Sequence, residues 1–319
     1  MAPNARFLWK TPPSPSISVG NLAMGGRGKT PVVAYIARLL VEAGERPAIL
    51  SRGYGRRVAE DGVVIVSDGV DIRADLDRAG DEPLLLARSV PGAVVLVCDQ
   101  RAIARALAAA VLDVTVHLFD DGFQHRAATR DVDIVLVSAA DLADRRVPFG
   151  RLREPVSALR RAHALVVDGQ AGDDEVRRAR AAGLPAAAPV FSLHRALGEP
   201  QPLEPERPWP AARAPVVAIA GIAGPERFTR ALEAAGWTVA RTLAFGDHHR
   251  YGARDLAQIA RAVADTGAVA ALTTAKDAVR LMPLRPLPVP VAFVPLHVAI
   301  EPADAFRVWL FDRLNEARA

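Results

Sequence analysis

The sequence has little of what several kinds of protein are built from. It holds a single cysteine, Cys98, in 319 residues, which excludes a disulfide framework and a cysteine-rich zinc site and suits a reducing compartment. No stretch reaches the roughly 20 uninterrupted apolar residues that a membrane-spanning helix requires. The opening MAPNARFLWKTPPSPS has no signal-peptide core. Lysine is also scarce: of forty Lys and Arg residues only Lys10, Lys29 and Lys276 are lysines. A chain that otherwise writes its cations as arginine has kept lysine inside GGRGKT and LTTAKD. A compact ammonium on a flexible stem is not replaced by a planar guanidinium at a crowded phosphate, which marks Lys29 as a phosphate ligand and singles out Lys276.

The net charge of +4 suits an anionic partner such as a nucleotide, a nucleic acid or an acidic lipid surface. The arginines that carry it are spread along helices such as EVRRARAAG and read as solvated faces, so no nucleic-acid partner is expected. The length fits one large or two medium domains. Short apolar, β-branched runs alternate with helix-period segments, the pattern of βα units around a mostly parallel sheet. Strands are predicted at SISVG, RPAILS, GVVIVS, AVVLVC, VTVHLF, VDIVLVS, HALVVD and APVFSLH. Residues 197–215, dense in proline, read as a linker. Beyond it VVAIAGIAG, WTVARTLAF, AVAALTTA and VPVAFVPL alternate with helices in a smaller α/β unit. The expected organisation is a phosphate-binding domain over 1–196, a linker over 197–215 and a smaller domain over 216–319 closed by the terminal helix.

Four stretches carry chemistry. In SVGNLAMGGRGKTP a strand runs into a glycine-rich loop, and a helix starts at Lys29-Thr30-Pro31, proline being favoured in a first turn. Loop N–H groups from Gly25, Gly26, Arg27 and Gly28 converge with the helix N-terminus on an anion site. Lys29 then reaches the terminal phosphates and the Thr30 hydroxyl ligates Mg²⁺. The strict phosphate-loop pattern asks for glycine where this chain has Ala23, which alters the approach to the loop and not the part that touches phosphate. In VTVHLFDDGFQH (114–125) an apolar strand ends in Asp120-Asp121, the form of a strand that presents a carboxylate to Mg²⁺. By itself it reads better as a strand entering an ordinary Asp-Gly turn; about ninety residues after Lys29, the two motifs reinforce each other. In RAGDEPLLLA, Asp81 precedes a helix and is either its N-cap or a carboxylate that takes a proton from an attacking hydroxyl. In FGDHHRYG the paired histidines lack a third ligand at a zinc spacing and read as proton-handling or positioning groups. The stretch 150–162 reads as the start of an amphipathic helix.

Together SVGNLAMGGRGKTP, LSRGYGRR, AGDEP, DDGFQHR, GRLREPVSALRRAHALV, FGDHHRY and LTTAKDAVRL resemble the tetraacyldisaccharide 4'-kinase family, in the family's order over four-fifths of the chain. The resemblance implies ATP- and Mg²⁺-dependent phosphorylation of the 4'-hydroxyl of a lipid-linked glucosamine disaccharide 1-phosphate, by a phosphate-loop α/β fold with a smaller α/β lobe. It also implies tolerance of a residue such as Ala23. Position by position, Lys29 and Thr30 match the phosphate-loop pair, Asp120 and Asp121 the metal-binding acids, and Glu154 the acid of LREP. Asp81 matches the catalytic base and His248 its partner, with Arg101, Gln124 and Arg153 at supporting positions. The family works as a peripheral protein on the cytoplasmic face of the inner membrane, and a monomer is expected. Members commonly begin with a longer hydrophobic, basic helix; here Phe7, Leu8 and Trp9 are the sole apolar cluster before the first strand.

A rival reading is a phosphate-loop GTPase or ATPase acting as a metal chaperone or a nucleotide-gated membrane-binding switch. It predicts a base-selecting Asn-Lys-x-Asp motif, and TTAKD (273–277) lacks the asparagine.

Overall fold

A computed structural model describes residues 14–25, 28–58, 60–124, 130–210 and 214–319. The chain divides into two units, one formed by 1–195 together with 298–319 and the other by 196–297. In the larger unit the order is β1 (Ser16–Asn21), α1 (Lys29–Glu42), β2 (Pro47–Ser51), β3 (Val64–Asp68), α2 (Leu76–Ala79), α3 (Asp81–Ser89) and β4 (Val94–Val97). There follow α4 (Arg101–Val111), β5 (Val116–Asp120), β6 (Val132–Val137), β7 (Ala164–Asp168), α5 (Asp173–Ala181) and β8 (Val190–Leu197). The smaller unit holds β9 (Gln201–Pro202), β10 (Val216–Ala220), α6 (Pro225–Ala234), β11 (Val239–Ala244), α7 (Ala253–Thr266), β12 (Ala270–Thr274), α8 (Ala275–Leu281) and β13 (Val291–Val294). The chain then returns to the larger unit as β14 (Leu296–Glu301) and α9 (Ala303–Arg318).

The larger sheet has nine strands in the order β14-β8-β7-β6-β1-β5-β2-β4-β3. From β8 to β4 every neighbouring pair is parallel, and β3 runs antiparallel on the edge. Helices cover both faces of such a sheet, which is why its strands are near-continuous apolar runs with no polar side; β1, β2, β4, β5 and β6 are buried along their whole length. β1 lies between β5 and β6, where the order of connection reverses, and ligands bind beyond the carboxyl ends of strands at such a point. In register Val19 sits beside Asp120, so the phosphate-loop and acidic motifs leave the sheet from adjacent strands on one edge. The smaller sheet has the order β11-β10-β12-β13-β9, parallel except for β9 against β13.

The boundaries differ from the sequence reading. The terminal helix does not close the smaller unit: Phe306, Leu310 and Leu314, one turn apart, are fully buried, and Phe306 meets Phe191 edge-on at 5.1 Å and Tyr35 at 6.2 Å, both in the larger unit. Nor is 197–215 only a linker, because Gln201 and Pro202 pair with β13 and Leu203 is buried in that unit's core. The amphipathic helix expected near 150–162 is a 3₁₀ segment, Val156–Arg161.

Replacing Phe306 with Ala should lower stability by about 3–5 kcal/mol, the usual cost of emptying a buried aromatic site. Urea unfolding followed by fluorescence measures it, and a loss below about 1 kcal/mol, the size of an ordinary surface effect, would show that α9 is peripheral to the core.

Candidate active site

β1 passes into the loop through Leu22 and Ala23, both fully buried. Ala23 forms an isolated bridge with Leu152 and packs with it in one apolar cluster, so its methyl is core and a glycine there would remove packing. The left-handed turn begins at Gly25, with φ 92°. Gly26 and Arg27 lie outside the described residues. Gly28, with φ 72°, is the N-cap of α1 and supplies no side-chain acceptor to its first turn. The N–H groups there are oriented for an anion. Thr30 follows, buried in that turn.

Around this loop the side chains form one network. The Lys29 ammonium donates to the Asn21 side-chain oxygen at 3.0 Å and lies 3.5 Å from the Asp121 carboxylate. Arg153 grips Asp121 with both arms of its fork, at 2.9 and 2.8 Å, and also donates to the Asn21 side-chain oxygen. Gln124 donates to the Asn21 backbone carbonyl at 2.7 Å. Arg101, fully buried, donates to the backbone carbonyls of Asp120 at 2.7 Å and Asp121 at 3.1 Å. It therefore fixes the turn rather than the carboxylates. Burial, then the charge of Arg52, lowers its pKa to about 10, so it stays a cation near neutrality.

The two acids part company. Burial, then the nearby charges of Glu82 and Asp121, pushes the Asp120 carboxyl up to about 7, and its Oδ1 is buried without a hydrogen-bond partner among the described residues. Burial raises Asp121 too, but the Arg153 hydrogen bonds and the Lys29 charge outweigh it and hold that carboxyl below its ordinary value. Asp121 also adopts a left-handed φ of 56°, uncommon away from glycine. Glu154 accepts from Arg161 at 2.6 Å, and Arg161 lies over the Phe123 ring at 4.1 Å. Among the described residues no three acidic, His or Cys side chains form a metal-binding group. The expected Asp120, Asp121 and Glu154 set is therefore not a preassembled cage.

Asp81 is not the cap of its helix. Gly80 is the N-cap, with φ 82°, and Asp81 is the first residue of α3. It is buried, and its carboxylate accepts the N–H of Glu82 at 2.9 Å. The effect of Glu82 on Asp120 puts the first turn of α3 within electrostatic reach of the acidic strand end.

A family model described as tetraacyldisaccharide-1-P 4'-kinase matches residues 5–315. The chain belongs to the tetraacyldisaccharide 4'-kinase family. Similar relatives include the tetraacyldisaccharide 4'-kinases of Syntrophus aciditrophicus, 37% identical over 94% of this chain and 84% of that protein, and of Anaeromyxobacter dehalogenans, 42% identical over 85% and 73%. Among solved structures, LpxK from Aquifex aeolicus in complex with ATP is 31% identical with a TM-score of 0.74, covering 95% of this chain and 89% of that one. Membership makes the protein a kinase of lipid A biosynthesis that phosphorylates the 4'-hydroxyl of a tetraacyldisaccharide 1-phosphate, and the switch or metal-chaperone alternative finds no support.

Within this 4'-kinase the smaller unit separates the two histidines. The His249 ring bonds the Asp255 carboxylate at 3.1 Å, stacks on Phe245 at 4.7 Å and meets Tyr251 edge-on, so it is a packing residue. His248 stands in a left-handed conformation, φ 57°, its N–H bonded to the Asp247 carboxylate. Such strain on a non-glycine residue persists only where the surroundings enforce it. The enforcement is visible. Phe245 is tied to Ala220, and the Tyr251 hydroxyl donates at 2.9 Å to Asp277, which is fully buried. Asp277 also accepts from the Gly221 N–H and the Thr274 hydroxyl and pairs with Arg280 at 2.9 Å. The LTTAKD motif thus builds a buried buttress for the histidine loop. Lys276 lies in the first turn of α8.

Sequence reasoning missed several neighbours of the site. Asn21 and Glu82 lay inside the quoted motifs without a role. Arg195 came from no motif at all: a Cβ on Gly28 would fall 2.8 Å from its guanidinium, which Asp168 holds at 2.9 Å. Only the folded sheet brings the ends of β7 and β8 to the loop.

Asp277→Ala leaves the Arg280 charge buried without its counter-ion, which typically costs 3–5 kcal/mol. Thermal unfolding should show a loss of that order, with Asp277→Asn smaller; equal losses in the two variants would mean that charge pairing is not the source.

Proposed function

We propose that the larger unit binds ATP on the phosphate loop and directs its γ-phosphate to the acceptor's 4'-hydroxyl. The observation that carries this reading is the uncapped N-terminus of α1 beside the Lys29, Asn21, Asp121 and Arg153 network. The loop N–H groups from Gly25 to Gly28, including those of Gly26 and Arg27, receive the phosphates, and Lys29 moves from Asn21 and Asp121 onto the transferring group. Asn21 and Arg153 then keep Asp121 charged and fixed, while Arg101 and Gln124 hold the backbone of the strand ends.

The donor set fits Mg²⁺. Asp120 has a buried oxygen lacking a partner among the described residues and a carboxyl pushed up by burial and then by the neighbouring acids, the state of a carboxylate that gains from a cation. A hard divalent ion takes one or two carboxylates and fills its remaining positions with hydroxyl, phosphate and water oxygens, so Thr30, Asp120 and Asp121 suffice, with Glu154 held nearby by Arg161. Bound there, Mg²⁺ supplies neutralisation of the charge on the phosphate oxygens.

Asp81 acts as the base: its carboxylate takes the proton of the 4'-hydroxyl as the new O–P bond forms and ADP leaves. Asp81 is the first residue of α3, so its side chain lies at the positive end of the helix dipole. We propose that His248, carried by the smaller unit, takes part in the same proton transfer. A lipid acceptor is reached at a bilayer surface, and no helix among the described residues is long and apolar enough to cross one. We infer a monomer working peripherally on the cytoplasmic face of the inner membrane.

Lys29→Ala should reduce turnover by about a hundredfold or more, the scale of losing one preorganised charge donor, with an unchanged melting temperature; retention of over a tenth of wild-type turnover would remove Lys29 from the mechanism. The readout is 4'-phosphorylated product formed from ATP, Mg²⁺ and the disaccharide 1-phosphate in detergent micelles.

A carboxylate with a reference pKa of about 4 is a weak base at neutrality, so Asp81 and His248 should act as one unit. Asp81→Ala and His248→Ala should each cost on the order of a hundredfold in kcat, and the double variant little beyond the worse single, as for residues that work together. ATP binding should survive in all three. Multiplicative losses would separate the two roles, and lost ATP affinity in Asp81→Ala would make it a nucleotide or metal ligand.

A further inference from the structure

Between Asp144 and Leu152 the chain turns out of the larger unit and back, and this excursion is locked. The Val147 N–H donates to the Leu152 carbonyl at 3.0 Å, the Leu152 N–H to the Arg145 carbonyl at 3.0 Å and the Phe149 N–H to the Arg146 carbonyl at 2.9 Å. The Asp144 carboxylate accepts the N–H groups of Arg145 and Arg151 at 2.7 and 3.2 Å. A Cβ on Gly150 would lie 2.2 Å from the Arg145 carbonyl oxygen, so no larger residue fits there.

What the lock presents is apolar. Phe149 is 84% exposed and Val147 50%, with exposed Pro148 between them and exposed Arg145, Arg146 and Arg151 around them. A lone surface phenylalanine requires no explanation. A rigid tip that holds an aromatic and an aliphatic side chain in water, ringed by long cationic stems, has the chemistry of an interfacial anchor.

The base of the tip is the phosphate loop itself. The Met24 N–H donates to the Arg151 carbonyl and the Arg153 N–H to the Leu22 carbonyl, both at 2.7 Å, and Ala23 bridges Leu152. Met24, 56% exposed, extends the apolar surface toward Gly25.

We propose that residues 145–151, with Met24, form the surface by which this kinase seats on an anionic phospholipid bilayer. Phe149 and Val147 enter the acyl boundary, and the arginines meet the headgroup phosphates. A second copy of the chain is the poorer occupant, because a two-fold interface would set the same arginines against each other. The inference rests on the lipid-acceptor reading, since an acceptor held in a bilayer must be met at its surface. The backbone bonds at the base then carry the phosphate loop to that surface together with the tip.

The test contains neither ATP nor acceptor, so it stands or falls apart from the catalytic assignments. The full chain is sedimented with phosphatidylcholine vesicles with and without phosphatidylglycerol. Binding should require phosphatidylglycerol and weaken with salt. Phe149→Ser should reduce the partition coefficient about tenfold or more, and Arg145→Gln and Arg146→Gln about fivefold each. Val70→Ser, at a separate turn where Val70 is 87% exposed, should leave it unchanged. Wild-type affinity in the Phe149 and arginine variants, or no vesicle binding by the wild type, overturns the proposal. So does binding that is lost only when Phe7, Leu8 and Trp9 are changed to Ser, or a wild-type dimer in sedimentation velocity that Phe149→Ser dissociates.

Discussion

The forked contact of Arg153 with Asp121, shared with Asn21, is the constraint on which the larger unit's site depends. It ties three places together: the end of β1, the end of β5 and the segment that follows the locked tip. A bidentate guanidinium-carboxylate pair fixes direction as well as distance, which a lysine at that position would not do. By holding Asp121 charged while Asp120 is pushed toward protonation, the pair gives two adjacent aspartates different tasks. Asp121 is held charged and oriented beside Lys29, and Asp120 keeps a buried oxygen without a partner among the described residues.

Much of this could be read from the sequence because its physics is local. The parallel strands announced themselves as unbroken apolar runs, and the phosphate loop as glycines placed between a strand and a helix. Parallel pairing then put Gly20 and Asp120 on one edge without further information. Asp81 was half legible: its place at a helix start was right, but the left-handed Gly80, not Asp81, is the cap, and an N-cap differs from the first helical residue by one position that composition does not resolve.

What escaped the sequence is what the fold assembles from a distance. The terminal helix was legible, but nothing in its sequence says that Phe306 meets Phe191 and Tyr35 of the larger unit. Gln201 and Pro202 lie in a proline-rich stretch that looks like a linker, because a two-residue edge strand carries no periodicity. Arg195 reaches the phosphate loop only because β8 lies in the same sheet as β1. In TTAKD the lysine drew attention, whereas Asp277, Thr274 and Arg280 form the buried network, and their roles depend on Tyr251 and Gly221 closing over them.

The return of the chain to the larger unit after the smaller one is complete sets an order of assembly. During synthesis β8 emerges before β14, its neighbour in the sheet, and the whole of the smaller unit must be made in between. Through that interval β8 is an open edge with unpaired backbone groups, and Phe191 lacks the aromatic cover of α9. Open edges and uncovered apolar faces are what nascent chains aggregate through. A smaller unit that folds promptly on its own brings the two ends of its chain together and shortens the effective loop that β14 must close. An inserted unit of that kind helps to close the sheet that encloses it in sequence.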